Sequence, residues 1–220
     1  MANITSGSIV VSNVPTSKLC VDNLRKGIAG LPQDTFFLPG SVRDNFRIYH
    51  GRGSQRRRRD SHSSLSSHCS GEQDGWTLED YRLTALMVES LTAVGLYDKV
   101  IAAGGLDFEN IGLTTLLSHG ERQLFNLARL SVTSSPIILM DEVTSSMDDE
   151  TKALARSFIR ERFRGKTIIE VVHRLGSMVE DDWDFYILMD SGEVAEMADL
   201  KVEGSGPKLA RLLASEGAET

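Results

Sequence analysis

Two kinds of apolar pattern alternate along the chain. Apolar residues recur every three or four positions, as in amphipathic helices, over 17–27, 77–96, about 119–133, about 149–163 and about 206–215. Short runs rich in β-branched residues, which predict strands, cover 7–14, 28–31, 136–140, 166–172 and 184–190, with one more short strand after Gly192. Strands that alternate with helices in this way predict an α/β fold with parallel strands at its core.

Residues 51–75 break this pattern, because they are rich in Ser, Gly and Arg and contain one aliphatic residue, Leu65. Such a segment cannot bury enough apolar surface to offset the entropy that ordering would cost. We therefore predict a disordered Ser/Arg-rich insertion, taken with its flanks as 49–76. Arg58 and Arg59 stand at the spacing that basic-directed kinases favour before Ser61, although an unregulated linker is the simpler interpretation.

Composition limits the class of protein. The 220 residues suffice for one domain or a large piece of one, and 40% apolar with 25% charged residues is ordinary for a soluble globular chain. The net charge of -7 gives no reason to expect nucleic acid as a partner. Two cysteines cannot form a disulfide framework, and no apolar run approaches the roughly 18 residues that span a bilayer. We expect a cytosolic chain or the soluble part of a larger protein.

Acidic and imidazole side chains stand where predicted strands end. Asp141 and Glu142 follow the run 136–140, and His173 follows 166–172. Ligands of parallel α/β sheets bind outside the carboxyl ends of the strands, so these residues can share a site for magnesium-bound phosphate. Each feature also has a plainer interpretation, since an acid pair can simply begin a loop and a lone histidine can lie on the surface.

The segment "LLSHGERQLFNLAR" (116–129) predicts a helix with an anion-binding start. Ser118 followed three residues later by Glu121 fits a capping box, and Gly120 removes a side chain from the first turn. Free backbone N–H groups at such a terminus attract phosphate. A well-capped helix without any ligand explains the same residues equally well.

Taken in order, five segments resemble motifs of the nucleotide-binding domain of ATP-binding cassette (ABC) proteins. They are "LSHGERQL" for the signature motif, "IILMDE" for Walker B with the catalytic glutamate, "TSSMD" for the D-loop, "VVHRL" for the H-loop and "LPQDTFFLPGSVRDN" for the Q-loop of exporters. Their wording most resembles the second nucleotide-binding domain of fungal, multidrug-resistance-type transporters of the C subfamily, over about residues 7–213.

This resemblance implies a P-loop NTPase-like ABC ATPase fold, with a parallel core sheet and a helical signature subdomain. The implied boundaries are 1–48 for a partial catalytic core with the Q-loop, 77–134 for the helical subdomain with the signature helix, and 135–220 for the core with Walker B, D-loop and H-loop.

For the hydrolytic side of the site, the resemblance implies one role for each matching residue. Asp141 would hold Mg²⁺ through water, with Gln33 as a further metal contact, and Glu142 would polarise the attacking water. His173 would contact the γ-phosphate of ATP. Gln33 would also sense that phosphate and couple the site to membrane helices. These roles suit phosphoryl transfer, where positioning and charge stabilisation do most of the work.

The residues that match the signature motif and the D-loop imply that the chain binds other domains. Ser118, Gly120 and Glu121 would lie at ATP held by a second nucleotide-binding domain, and Asp148 would bridge the two domains. Glu121 departs from the glutamine that is usual in the family, although it can keep the capping role. The implied ligands are ATP and Mg²⁺, the other partners are the transmembrane domains of an ABC transporter without nucleic acid, and the implied location is the cytosolic face of a membrane.

The phosphate-binding loop of the family, Walker A, is not found in these residues. Its pattern is G-x-x-x-x-G-K-[ST] between a strand and a helix. Only Gly165-Lys166-Thr167 comes near, but Arg160 stands where the first glycine is required and a strand follows. The resemblance therefore implies a domain whose N-terminal part is missing and whose own ATP hydrolysis is doubtful.

Three interpretations of function remain open from the sequence. The chain can be the ATP-hydrolysing domain of an exporter, or a non-catalytic domain that completes another domain's ATP site. It can also be a soluble ABC-type DNA-repair ATPase. We favour the third least, because the chain is acidic and shows no sustained heptads.

Overall fold

In a computed structural model of the chain, the residues described are 4–50, 76–173, 183–201 and 207–216. The chain divides into two compact units, Met1–Ile169 and Glu170–Thr220. The predicted insertion, apart from its ends, lies outside the described residues, and so does Ser61.

Helices outnumber strands along the described ranges. The helices are α1 (Val21–Gly27), α2 (Val42–Arg47), α3 (Leu78–Ala93), α4 (Tyr97–Ala102), α5 (Asn110–Leu116), α6 (His119–Ser131), α7 (Asp149–Arg162) and α8 (Pro207–Glu216). The strands are β1 (Val10–Val11), β2 (Val14–Pro15), β3 (Ile28–Leu31), β4 (Ile137–Asp141), β5 (Thr167–Val171), β6 (Phe185–Asp190) and β7 (Glu193–Asp199).

The central sheet has the strand order β3-β4-β5. Strands β3 and β4 run parallel, with Leu31 opposite Met140. Leu31, Ile138 and Met140 are buried, whereas Leu139 on the other face of β4 is 40% exposed. The predicted α/β class with parallel core strands is confirmed. Because parallel strands end at the same edge, the residues that follow β3 and β4 lie side by side.

The segment 7–14, predicted as one strand, is instead part of a tight hairpin. Val11 pairs with Val14 and Val10 with Pro15, in antiparallel register. Ser12 and Asn13 make the turn with positive φ angles of 50° and 64°. Two left-handed residues in succession are the geometry of a two-residue hairpin turn, and Asn tolerates that region better than most residues. The turn is easy to miss in sequence because no glycine marks it.

The longer predicted helices are confirmed as α3, α6, α7 and α8, although α3 ends at Ala93, three residues before the predicted end. In the predicted helix 17–27, a 3₁₀ turn (Thr16–Lys18) comes first, and α1 begins only at Val21. The sequence pattern does not indicate α2, α4 and α5, because six or seven residues contain too few turns to show periodicity.

Helix α6 lies at the centre of the first unit, where it packs against α2, α3, α7 and β3. Phe125 on α6 is fully buried and stacks on Phe37, with ring centroids 5.1 Å apart. It also meets the edge of Phe46 of α2, at 5.6 Å. This packing fixes the position of α6 relative to the loop that follows β3.

The second unit contains an antiparallel hairpin of β6 and β7, with Gly192 in its turn. Glu196 of β7 accepts hydrogen bonds from the backbone N–H groups of Lys208 and Leu209, at the start of α8. Within the described ranges, none of the helices combines the length and the apolar character needed to cross a bilayer.

Candidate functional site

The carboxyl ends of β3 and β4 bring Gln33 and Glu142 into contact. Each lies two residues after a partner in the sheet register, Leu31 or Met140. Gln33 Nε2 donates a hydrogen bond to Glu142 Oε2 over 3.2 Å, across a sequence separation of 109 residues. Parallel pairing with equal offsets is therefore what joins the two predicted site residues.

The backbone at Glu142 is left-handed, with φ at 47°. This region is uncommon for residues other than glycine and costs on the order of 1–3 kcal/mol. A tight turn holds it, because Ser145 donates to the Glu142 carbonyl oxygen from both its N–H (3.2 Å) and its Oγ (3.0 Å). The chain thus bends sharply just after Asp141, whose side chain is exposed at the end of β4.

The signature segment forms the capping box that its sequence predicts. Glu121 N donates to Ser118 Oγ (3.2 Å), and Ser118 N donates to Glu121 Oε2 (2.9 Å). Lys99 forms an ion pair with the other oxygen of Glu121, Oε1. Burial raises the pKa of Glu121, but the hydrogen bonds from Lys99 and Ser118 outweigh burial and hold that pKa below its usual range. The extra negative charge at this helix start is therefore paired within the domain.

The first turns of α6 and α7 touch each other. A Cβ atom on Gly120 would lie 3.3 Å from Thr151 Cγ2, so only glycine allows this approach without a shift of the neighbour. Asp148 caps α7 by accepting from Thr151 N (2.8 Å) and Thr151 Oγ1 (3.1 Å). The bond from the Thr151 backbone is the main reason that the pKa of Asp148 is lowered. Asp148 therefore has a structural role beside any role toward a partner.

Ser146 links the loop after β4 to the signature helix. Its Oγ lies 3.4 Å from His119 Nδ1 and accepts a hydrogen bond from Gln123 Nε2 over 3.1 Å. Sequence reasoning did not single out Ser146, Thr151 or Lys99. Ser146 lies inside the D-loop-like segment "TSSMD", which could have drawn attention to it, whereas nothing in the local pattern marks Lys99 as the partner of Glu121.

His173 lies two residues after the end of β5, in the second unit, and its side chain is exposed. It follows a strand, as the sequence predicts. Its proximity to Gln33 and Glu142 stays a prediction.

The residues at the end of β4 fit magnesium together with a nucleotide. Among the described residues, no group of three or more His, Cys, Asp or Glu side chains could hold a metal ion by itself. Asp141, Glu142 and the Gln33 amide offer oxygen ligands, and Mg²⁺ in nucleotide sites is held by one or two carboxylates plus substrate phosphates. This donor set is what such a shared site requires.

A comparison with family models identifies the chain. The model described as ABC transporter matches residues 1–145. The chain belongs to the ABC transporter family. It carries the ATP-binding domain of that family, as the five motifs predict.

Fungal transporters are among the curated relatives of this ABC domain. It is 32% identical over 197 residues to an ABC-type transporter of Gibberella zeae, with 90% of this chain and 11% of that protein covered. It is 30% identical over 209 residues to ABC multidrug transporter B of Aspergillus fumigatus, with 93% and 12% covered. A vacuolar heme ABC transmembrane exporter of Schizosaccharomyces pombe is 31% identical over 192 residues, with 87% and 11% covered. The chain thus spans roughly a tenth of the length of these relatives.

Among solved structures, the domain resembles a bacterial Atm1-family ABC exporter with ATP bound, with a TM-score of 0.70 at 23% identity. The match covers 98% of this chain and 33% of that one. It confirms the predicted ABC ATPase fold.

Proposed function

We propose that this domain couples ATP binding and hydrolysis to transport across a membrane, as the cassette of an exporter. The observation that carries the proposal is the hydrogen bond between Gln33 and Glu142 at the end of the sheet, next to Asp141. It joins an amide and a carboxylate beside a second carboxylate, at the edge where parallel α/β sheets bind phosphate ligands.

Each residue of the hydrolytic side then has a defined task. Asp141 and the amide oxygen of Gln33 would hold Mg²⁺, which would supply positive charge to neutralise phosphate. Glu142 polarises the attacking water, and the bond from Gln33 keeps its carboxylate at the strand end. We expect His173 to contact the γ-phosphate and to orient the water. Gln33 would be the first residue to respond to loss of the γ-phosphate, because its side chain contacts Glu142, which would polarise the attacking water.

The signature side serves ATP held by a second nucleotide-binding domain. Ser118 and Gly120 would approach its γ-phosphate at the start of α6, where backbone N–H groups and the helix dipole favour negative charge. The pairing of Glu121 with Lys99 supports this task, because it offsets a carboxylate that would otherwise repel phosphate. Asp148 would contact the second domain while it caps α7.

The face formed by β3 and by part of the loop after Gln33 suits a membrane-domain partner. A cavity of about 670 Å³ lies there, with apolar walls from Phe36, Leu38, Ile48 and Tyr49 and a basic side at Arg25 and Lys26. We propose that a cytosolic segment of the transmembrane domains docks at this face, which locates the domain at the cytosolic side of a membrane. Phe36 lies three residues after Gln33, so docking and hydrolysis share one loop.

A non-catalytic role is the second candidate. The capping box at Ser118 is complete, whereas residues 1–220 contain no G-x-x-x-x-G-K-[ST] segment to cradle the β- and γ-phosphates. A domain of this kind can complete the ATP site of its partner without hydrolysing ATP itself. For the same reason, we expect negligible ATP hydrolysis by residues 1–220 alone.

The decisive experiment supplies a phosphate-binding loop and a partner domain. A P-loop segment is joined upstream of the chain, a partner nucleotide-binding domain is added, and ATPase activity and nucleotide binding are measured. We expect turnover to appear, and Glu142→Gln to abolish it while binding persists, because the water-polarising charge is lost and Asp141 remains. Glu161→Gln, an exposed acid on α7, is the matched control and should leave turnover unchanged.

Two outcomes separate the candidates. If Ser118→Arg impairs ATP bound by the partner while Glu142→Gln changes nothing, the non-catalytic role is correct. Steady hydrolysis by the purified 220-residue chain that vanished with Glu142→Gln would overturn the expectation of inactivity, because phosphate would then be held by other residues.

A further inference from the structure

Arg129 is a fully buried cation on α6, at the opposite end of the helix from Ser118. Its guanidinium carbon lies 4.5 Å from the ring centroid of Phe36 and 5.5 Å from that of Tyr49. Nη1 donates to Asn45 Oδ1 over 3.1 Å, whereas Nε and Nη2 have no hydrogen-bond acceptor among the described residues. The groups that stabilise its charge are therefore mainly two aromatic rings and one side-chain amide.

A buried arginine at this position is costly unless its neighbours compensate it. Burial lowers the pKa of Arg129, and the interaction with Tyr49 opposes that change. Arginine nevertheless stays charged in proteins, so the cost of desolvation has to be met by cation–π contacts and hydrogen bonds. Cation–π contacts are strongest when they are desolvated. The buried charge of Arg129 therefore favours keeping the Phe36 ring in its present position.

Phe36 and Asn45 both control the loop Pro32–Gly40, named here the Gln33 loop. Phe36 belongs to this loop. Asn45 Oδ1 accepts from Leu38 N (2.9 Å), and Asn45 Nδ2 donates to the carbonyl oxygens of Leu38 and Ser41 (3.0 Å each). The amide oxygen that receives Arg129 is thus the one that holds the loop backbone at Leu38.

We propose that Arg129 is a positioning residue that makes the Gln33 loop follow the signature helix. Gln33, the second residue of the loop, contacts Glu142, and α6 begins at the capping box of Ser118. Arg129 joins the far parts of both, through Phe36 and through Asn45. Phe36 and Tyr49 also line the cavity beside the loop, so an occupant of the cavity would act on α6 through the same guanidinium.

Any effect of Arg129 on the hydrolytic residues rests on the proposed function. The link that Arg129 makes between α6 and the Gln33 loop can, however, be tested without nucleotide. Amide hydrogen exchange of the purified chain is measured by mass spectrometry, peptide by peptide. Arg129→Met keeps the length of the side chain and removes its charge and its hydrogen bond. We expect exchange in the peptide 33–41 to accelerate about 5- to 30-fold, while peptides from α3 and α7 change less than about twofold.

Two further variants separate positioning from simple stability. Phe36→Leu should accelerate hydrogen exchange in the same peptide. In the double variant, this peptide should exchange no faster than in the faster single variant, because both substitutions remove the same contact between Arg129 and Phe36. Arg129→Lys keeps a cation near the rings but not the planar fork, so it should fall between wild type and Arg129→Met. Arg160→Met, an exposed arginine on α7, is the control and should match wild type.

The proposal fails if Arg129→Met leaves the 33–41 peptide within twofold of wild type, or if it accelerates all core peptides equally. It also fails if the effects of Phe36→Leu and Arg129→Met add. Should Arg129→Met not fold, Phe36→Leu and Arg129→Lys carry the test, since the Phe36 side chain is 39% exposed. None of these readouts uses ATP, so failure here leaves the proposed function standing, and failure of the ATPase experiment leaves this link standing.

Discussion

The carboxylate of Glu121 serves two partners that substitutions can separate. Oε2 accepts the Ser118 N–H, and Oε1 pairs with Lys99. Glu121→Gln keeps a side chain that can complete the capping box but deletes the ion pair, whereas Glu121→Ala deletes both interactions. Lys99→Met deletes the ion pair alone. The three variants therefore report the cap and the charge pair independently.

The exposure of the two side chains sets the expected magnitudes. The Lys99 side chain is 52% exposed and that of Glu121 22% exposed, so solvent screens the pair and its loss should cost about 0.2–1 kcal/mol. Loss of a helix cap costs about 0.5–2 kcal/mol. We expect Glu121→Gln and Lys99→Met to cost up to about 1 kcal/mol each, and Glu121→Ala about 1–3 kcal/mol. For a chain of this size, 1 kcal/mol lowers Tm by about 2–4 °C.

Urea unfolding of the purified chain, followed by circular dichroism, measures these costs at pH 7. The double variant Lys99→Met/Glu121→Gln should lose no more free energy of unfolding than either single variant, because the pair is removed only once. Glu161→Gln, an exposed acid on α7, is the control for loss of charge alone. Equal losses in Glu121→Gln and Glu121→Ala would show that the charge pair, not the cap, dominates. Additive losses in the double variant would show that Lys99 and Glu121 do not act as a pair.

The stability at acidic pH provides a check on the direction of the pKa shift of Glu121. The pKa of Glu121 is lowered in the folded chain relative to its ordinary value of 4.5. The stabilisation is therefore complete above about pH 4.5 and is lost as the pH falls through the lowered folded value. Wild type and Glu121→Gln should converge in stability over that acidic range. A difference that stayed constant down to the acid transition would refute the charge-pair explanation.

Two further predictions concern the core and the insertion. Phe125→Ala should lower the free energy of unfolding by about 3–5 kcal/mol, because the ring is fully buried between Phe37 and Phe46. Leu116 is the control, because its side chain is 59% exposed. Leu116→Ala should cost about 0.5 kcal/mol or less in the same thermal or urea experiment. For the insertion, an unregulated linker is the first expectation and phosphorylation of Ser61 beside Arg58 and Arg59 is the alternative; phosphopeptide mass spectrometry of native protein that found Ser61 unmodified under all conditions tested would remove this alternative.

Local sequence signals predicted the parts of the fold that depend on neighbours in the chain. The capping box of Ser118 and Glu121 and the strand end at Asp141 involve residues within four positions of each other, so their physics is visible in the sequence. The hairpin at Ser12 and Asn13 was hidden because its left-handed turn uses residues other than glycine.

Contacts between distant segments could not be read in the same way. Motif resemblance placed Gln33 and Glu142 in one site, but the hydrogen bond between them depends on the parallel register of β3 and β4. The pairing of Lys99 with Glu121 and the stacking of Arg129 on Phe36 depend on how helices pack. Such contacts are set by tertiary packing, which no local periodicity encodes.

The two residues of the Gln33–Glu142 bond are tied to α6 by different routes. From Glu142, the turn closed by Ser145 leads to Ser146, which contacts His119 at the start of the helix. From Gln33, the loop leads to Phe36, which stacks on Arg129 in the last turns. Because the routes reach opposite ends of one helix, a tilt of α6 would pull on the two residues unequally, whereas a translation along its axis would carry both. The bond between Gln33 and Glu142 should therefore respond to the orientation of the signature helix.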